Sequence, residues 1–323
     1  MSGVSGSERA GFGHDTTADE VLEGIDLSGR LALVTGGSGG LGAETARALA
    51  SKGARVVLTA RDLARGEAVA AGIRESTGND AIWVEELELG SLASVRAFAE
   101  RCGARHDGLH ILVNNAGVMA CPFAKTTDGF ERQLGTNHLG HFLLTGLLAP
   151  ALLRGAPARI VALSSRGHQQ SPVVFDDVHF ERRPYDKWGA YGQSKTANVL
   201  HAVELERRLG ARGVHANAVH PGVIPTDLAR HLQPEDYERL RKRAPGGRMR
   251  LKTVEAGAAT SVYAATAPEL EGRGGLYLED CHVAEVDDAE GASQGVRSYA
   301  LDPDAAARLW ALSEEMVGQE VAL

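Results

Sequence analysis

Tyr191 and Lys195 stand four residues apart in the run AYGQSKTANVLHAVELERRLG. Apolar residues recur at helical spacing through Val199, Leu200, Val203, Leu205 and Leu209, and Gly210 follows as a stop signal, so the run is expected to be one amphipathic helix. In a helix this spacing puts a phenol and an ammonium on one face, about one turn apart. A free phenol has a pKa of about 10, and a nearby positive charge favours the phenolate, so the pair is suited to passing a proton. A surface tyrosine beside a helix-stabilising lysine would show the same spacing, and the rest of the chain has to decide between the two.

A second chemical signal lies near the start. Leu31 to Val34 is an unbroken apolar run of the kind a strand buried on both faces carries, and it leads into TGGSGGLG, Thr35 to Gly42. A helical pattern closed by Gly53 and a second apolar run, Ala54 to Thr59, come next. Strand, glycine turn, helix, strand is the frame in which glycines 36, 40 and 42 let the backbone approach a pyrophosphate while the helix start offers free N–H groups. The residue after the second strand bears on which dinucleotide is bound. A carboxylate there would hold the ribose 2′-OH of NAD, whereas this chain has Arg61, whose guanidinium matches a 2′-phosphate and points to NADP(H), with NAD(H) still usable. An arginine facing solvent and paired with Asp62 is the plain alternative.

The remaining elements are those that must hold these groups. A third strand is expected in Ala81 to Leu89, and Ser91 caps the helix after it. A fourth strand, Leu109 to Val113, ends in Asn114-Asn115-Ala116-Gly117 at the carboxyl edge of the sheet, where open α/β folds bind ligands. A long apolar helix follows with Asn137 inside it, either a satisfied core amide or part of a site. Arg159 to Leu163 is strand five and delivers Ser164-Ser165, and a largely polar insert then runs to Tyr191. Strand six, Val214 to Val219, leads to HPGVIPT; a further helix, a last strand at Gly275 to Leu278 and a terminal helix from Pro303 to Val317 complete the order. Upstream, Thr17-Ala18-Asp19-Glu20 has the form of a capping box, so a short helix is expected at about 17 to 23.

The chain has 323 residues, 43% of them hydrophobic, enough to bury the core of one α/β domain. We expect an N-terminal extension over 1–27 and a nucleotide-binding domain over 28–323. Its three cysteines, Cys102, Cys121 and Cys281, are too scattered for a zinc site or a disulfide framework, so reduced thiols and no metal are expected. There is no apolar run long enough for a membrane span and no apolar core of a signal peptide near the start, which suggests a soluble cytoplasmic protein. A net charge of −8 and the lack of basic stretches interleaved with aromatics argue against nucleic acid as a partner.

TGGSGGLG, NNAG, Asn137, Ser165, YGQSK and HPG occur in the order that resembles the short-chain dehydrogenase/reductase family, over about 28 to 280. TNHLGHFLLTGLL and AYGQSKTANVL are most similar to its branch of retinol dehydrogenases and WW-domain-containing oxidoreductases. The resemblance implies a Rossmann-type, doubly wound parallel sheet of about seven strands with helices on both faces. It also implies roles. Tyr191 would exchange the proton, Lys195 would lower its pKa and hold the nicotinamide ribose, Ser165 would bond the substrate oxygen, and Asn137 would carry a proton relay to Lys195. The cofactor would be held by Thr35, Gly36, Ser38, Gly40, Leu41 and Gly42 at the phosphates. Arg61, Glu88, Leu89, Asn114, Asn115, Ala116 and Gly117 would hold it along the sheet edge, and Pro221, Gly222, Val223 and Thr226 near the nicotinamide. Three positions depart from the family pattern: Glu88 replaces the usual aspartate, Gly39 replaces a basic residue common in NADP-preferring members, and Ser165 lies 26 residues before Tyr191.

The reaction this implies is hydride transfer between NADP(H) and a carbonyl or alcohol of a fairly bulky small molecule. An NADP-binding scaffold without turnover and an epimerase or dehydratase are the competing readings. Met119, Trp188, Leu228 and Leu232 are candidate pocket walls. The segment 227–252 occupies the place of a substrate lid, with Gly246 and Gly247 as a candidate hinge; it carries eight basic residues against four acidic ones. That excess would suit an anionic substrate, or would simply follow the dipole of a helix that starts at Pro234 with its acids first and its bases last.

Overall fold

Leu31–Val34 (β1) is buried along its whole length, as an unbroken apolar strand must be if both faces of the sheet are covered. The computed structural model describes residues 11–243, 248–321 and 323. β1 pairs in parallel with Arg55–Ala60 (β2) on one side and with Ile111–Asn114 (β4) on the other. Ile82–Glu86 (β3) lies outside β2, while Ala158–Leu163 (β5), Val214–His220 (β6) and Tyr277–Glu279 (β7) continue beyond β4. All of these strands are parallel. An eighth, His282–Val283 (β8), turns back antiparallel on β7; at two residues it is too short to leave an alternation in the sequence, where about seven strands are expected. The order β3-β2-β1-β4-β5-β6-β7-β8 reverses direction between β1 and β4, and there a crevice opens at the carboxyl ends of the strands.

Helices cover both faces. On one side pack Ala18–Val21 (α1), Gly40–Ser51 (α2), Leu63–Thr77 (α3) and Val254–Thr266 (α9). The capping box of α1 forms as expected, with Thr17 and Glu20 exchanging bonds. On the other side lie Leu92–Arg105 (α4), Gly140–Arg154 (α6), Lys187–Leu209 (α7) and Pro303–Val317 (α10). Pro234–Arg243 (α8) sits over the crevice and begins at Pro234, as the sequence suggests. The proposed hinge at Gly246 and Gly247 lies outside the described residues.

One expected helix differs in form. The run around Asn137 is a short turn, Arg132–Leu134 (α5), then a π-helical turn at Gly135–Leu139, then α6. Asn137 is pulled sideways: its Nδ2 donates to Val118 O at 2.9 Å and its Oδ1 accepts from Val118 N at 2.8 Å. Such π-helical turns inside α-helices are frequent at functional sites.

At the edge of the sheet, Trp83 on β3 is exposed and the buried carboxylate of Glu85 is clamped by Arg101 and Arg105 from α4. α10 closes the opposite layer. Trp310 meets Phe142 edge-on with ring centroids 4.8 Å apart, and the Arg208 guanidinium lies 4.2 Å above the Trp310 ring. Trp310→Ala should therefore lower the free energy of unfolding by about 3–5 kcal/mol, with a matching fall in the urea midpoint. A loss below 1 kcal/mol would mean that α10 contributes little to the α6–α7 layer.

Candidate active site

The glycine turn is shaped by crowding. Gly36 has φ +68°, and a Cβ on it would come within 2.9 Å of the Ala116 Cβ; one on Gly42 would run into the Gly36 carbonyl. Asn115 laces the turn to β4 by donating from Nδ2 to Thr35 O at 2.7 Å. Thr35 itself points inward: its hydroxyl accepts from Asn115 N (2.9 Å) and Ala116 N (3.0 Å) and lies 2.9 Å from His141 Nε2. Thr35 thus braces the cradle from behind. Asn114 also turns away, donating to Thr145 Oγ1 at 2.9 Å.

The crevice is one cleft of about 1660 Å³. Apart from Thr35, Asn114 and Asn137, which stand behind it, every expected site residue lines it. At the far end Arg61 is 67% exposed, and its Nη1 is 3.6 Å from Glu88 Oε2. Asp62, its supposed partner, instead caps α3 by accepting from Arg65 N at 3.1 Å. Glu88 bends back on its own turn, its Oε1 accepting from Gly90 N at 2.8 Å. Arg65 was missed in the sequence. It donates from Nε to Ser38 O at 3.0 Å and from Nη2 to Asp227 Oδ2 at 2.7 Å, and a Cβ on Gly39 would lie 2.9 Å from its Nη2. The cation absent at position 39 is supplied from the first turn of α3. Its signal was available: a basic residue four positions after Arg61, in the first turn of α3.

At the other end, Ser165, Tyr191 and Lys195 meet. Tyr191 is buried, which pushes its phenol up to about 12 even though a hydrogen bond with Ser165 works in the opposite direction. Burial lowers Lys195 to about 8. Its Nζ donates to Leu163 O at 2.9 Å and lies 5.6 Å from the centre of the Tyr191 ring. The expectation that Lys195 lowers the phenol's pKa is not met in the bare protein: both groups are desolvated, and loss of water outweighs an attraction across that distance. Ser164 is occupied elsewhere, donating to Lys195 O at 2.9 Å, so Ser165 is the serine that pairs with Tyr191. Asn137 donates to Ser194 Oγ at 2.9 Å, and its carbonyl is 3.0 Å from His141 Nδ1. His141, buried and lowered to about 4, is neutral and links Asn137 to Thr35.

All four proposed walls, Met119, Trp188, Leu228 and Leu232, line the cleft. Trp188 also anchors α8: its Nε1 donates to Asp236 Oδ1 at 3.0 Å, while Lys187 Nζ sits 2.6 Å from Asp236 Oδ2. One of the acids assigned to the helix dipole is thus a buried latch onto the start of α7. Lys252 leaves the basic lid altogether, being buried with its Nζ 2.6 Å from Asp280 Oδ1 and its chain packed against Gly222. Burial of Asp236 and Lys252 removes one charge of each sign, so the segment keeps the positive excess counted in the sequence.

A glycine cradle under one end of a cleft and a serine, tyrosine and lysine at the other can be compared with known proteins. The family model for short chain dehydrogenases matches residues 30–236. The chain belongs to the short-chain dehydrogenase/reductase family. Human retinol dehydrogenase 12 is 44% identical over 294 residues, covering 91% of this chain and 88% of that protein. A crystal structure of a Mycobacterium paratuberculosis protein matches with a TM-score of 0.73 and 37% identity, over 96% of this chain and all of the other. The Pseudomonas aeruginosa RhlG/NADP active-site complex matches at 29% identity and a TM-score of 0.61, over 79% and 95%. This short-chain dehydrogenase/reductase is accordingly an oxidoreductase with a nucleotide-binding fold.

The lowered pKa of Lys195 has a sign that can be checked. Between about 8 and the ordinary 10.5, the unfolded chain holds a proton on this lysine that the folded one has released, so the cofactor-free protein gains stability from it as pH rises. Below that window the full cost of the buried charge remains. Lys195→Met should raise the unfolding midpoint at pH 7.5 and shrink the advantage by pH 10. An advantage that stays constant over that range would mean that Lys195 is not the desolvated group described.

Proposed function

We propose that the protein catalyses NADP(H)-dependent interconversion of a carbonyl and an alcohol on a fairly bulky small molecule. The observation that carries this reading is the convergence of Ser165, Tyr191 and buried Lys195 on the same cleft as the glycine cradle and two guanidiniums. The cradle suits the group: the backbone is bare where phosphates would approach, and Arg61 and Arg65 stand where a 2′-phosphate would lie. When bound, the nicotinamide supplies or accepts the hydride. Tyr191 gives its proton to the carbonyl oxygen during reduction, and Ser165 donates to that oxygen as charge develops. Lys195 orients the ribose end of the cofactor and, with Asn137 behind it, returns the proton to Tyr191. A phenol that burial pushes up to about 12 keeps its proton across the neutral range, the form that donates during reduction.

Apolar walls at Met119, Trp188, Leu228 and Leu232 support a substrate larger than a sugar, and the similarity to retinol dehydrogenase 12 agrees with that size. The segment from Asp227 to Arg243 serves as the lid, held down through Asp236. NADP rather than NAD is supported by the paired arginines and by the NADP named in the Pseudomonas complex.

Tyr191→Phe should keep NADPH binding and lower kcat about 10²- to 10⁴-fold. A mutant retaining more than a tenth of wild-type kcat on an accepted aldehyde or ketone would remove Tyr191 from the reaction. Arg61→Asp should shift the NADPH to NADH ratio of kcat/KM toward NADH by tenfold or more, about 1.4 kcal/mol. Arg65→Gln should shift it the same way by less, because that side chain is already shared with Asp227. Ratios unchanged in both variants would leave NADP selectivity without a source.

A further inference from the structure

The segment between β8 and α10 has no reading in the sequence, and it supplies part of the wall of the cleft. It folds back on itself as a tight strap: Asp287 N donates to Val296 O and Val296 N to Glu285 O, both at 2.9 Å. Arg297 Nη1 gathers its loop by donating to Asp287 O at 2.8 Å and Ala289 O at 2.7 Å. The tip, Gly291, Ala292 and Ser293, faces the cleft. The strap is tied to the turn after Ser165 at several points. Arg166 Nη1 donates to Ser293 O at 3.2 Å, and Gln169 Nε2 donates to Gln294 O and Gly295 O at 3.2 and 3.1 Å.

His168 is the fully buried centre of that junction. Its Nδ1 lies 2.8 Å from Ser165 O, and its Nε2 accepts from Arg297 N at 3.1 Å. Its own carbonyl accepts from Tyr299 Oη at 2.7 Å and from Thr196 Oγ1, on α7, at 3.1 Å. The ring leans on Tyr277 of β7, with centroids 4.9 Å apart. A carbonyl on one side requires Nδ1 to carry the proton, and an N–H on the other requires Nε2 to be bare, so only one neutral tautomer satisfies both. Burial keeps it in that form, with a pKa lowered to about 4. A histidine serving only the core could take any two partners. Here one partner is the backbone of the residue that pairs with Tyr191, and the other is the backbone of the strap.

We propose that His168 is a positioning residue that sets the 285–300 strap in register with Ser165, which makes the strap tip a determinant of which substrates fit beside the reacting oxygen. The proposal rests on the role given above to Ser165 and goes beyond it in naming the wall and what holds it. Through this tether the strap and the serine keep a fixed distance whatever the lid does. Replacing His168 should therefore disturb the fit of long substrates more than the binding of the cofactor.

Two substitutions separate the two contacts. His168→Asn keeps a donor near Ser165 O but is too short for Arg297 N; His168→Gln keeps an acceptor at the reach of Nε2. Amide hydrogen exchange of residues 285–300, read on the NADPH-bound protein, should become about tenfold faster in His168→Asn, the factor of one lost buried hydrogen bond, and stay near wild type in His168→Gln. Steady-state kinetics with hexanal and decanal should show KM for decanal shifted at least threefold relative to hexanal in His168→Asn, with the NADPH dissociation constant unchanged. Unaltered strap exchange in His168→Asn overturns the tether, regardless of turnover. Faster exchange with an unchanged aldehyde ratio overturns the specificity role. A wild-type enzyme that reduces neither aldehyde sinks that role as well, and places the fault in the proposed reaction, because the exchange readout does not depend on catalysis.

Discussion

An ammonium with one carbonyl for company and almost no water is costly, and this molecule is arranged so that Lys195 has nowhere else to go. Its Nζ bonds to Leu163 O at the end of β5, a carbonyl that Asn198 also holds from the same helix, at 2.9 Å. Ser164 grips the backbone of Lys195, and Ser194 beside it is held by Asn137 across the helical layer. Each of these bonds fixes a group whose loss would leave a charge or dipole unsatisfied in the interior. The strand end, the π-helical turn and the start of α7 are thereby fixed relative to one another.

Much of this could be read in the sequence because it follows from local physics. The buried apolar strands, the glycine turn, Ser91 and Thr17 as caps, and the one-turn spacing of Tyr191 and Lys195 need only a few neighbouring residues to be recognised. What stayed hidden depends on residues far apart in the chain. Arg65 reaches Asp227 across 162 positions, Asp236 finds Trp188 only when the lid folds over, and Lys252 reads as a surface charge until Asp280 is placed beside it. The π turn was invisible for another reason: a bond from Asn137 to Val118 has no period of its own. The strap of residues 285–300 has no regular pattern, being shaped by backbone bonds that a sequence does not announce.

The two ends of the cleft solve opposite electrostatic problems. At the cradle, positive charge is kept in water and balanced loosely, Arg61 by Glu88 and Arg65 by Asp227, so that an arriving phosphate can compete for both. At the Tyr191 end, burial disfavours charge: it lowers His141 and His168 to about 4 and Lys195 to about 8, and pushes the phenol up to about 12. A polar group introduced there meets no competing solvent, and hydrogen bonds act at short range with little screening.

The edges of the sheet carry a consequence for how the protein behaves in crowded solution. An open strand edge invites another chain to pair with it and seed a fibril, and large parallel sheets expose two such edges. Here one edge ends in the two-residue hairpin arm of β8, too short to template growth. The other, β3, buries Ile82, leaves Trp83 and Glu86 exposed, and keeps the buried Glu85 clamped by arginines of α4. A chain docking on that edge would have to bury charge at the same time. Trp83 is then an exposed apolar foothold on β3, and resistance to aggregation at this margin depends on Glu85 and Glu86 beside it.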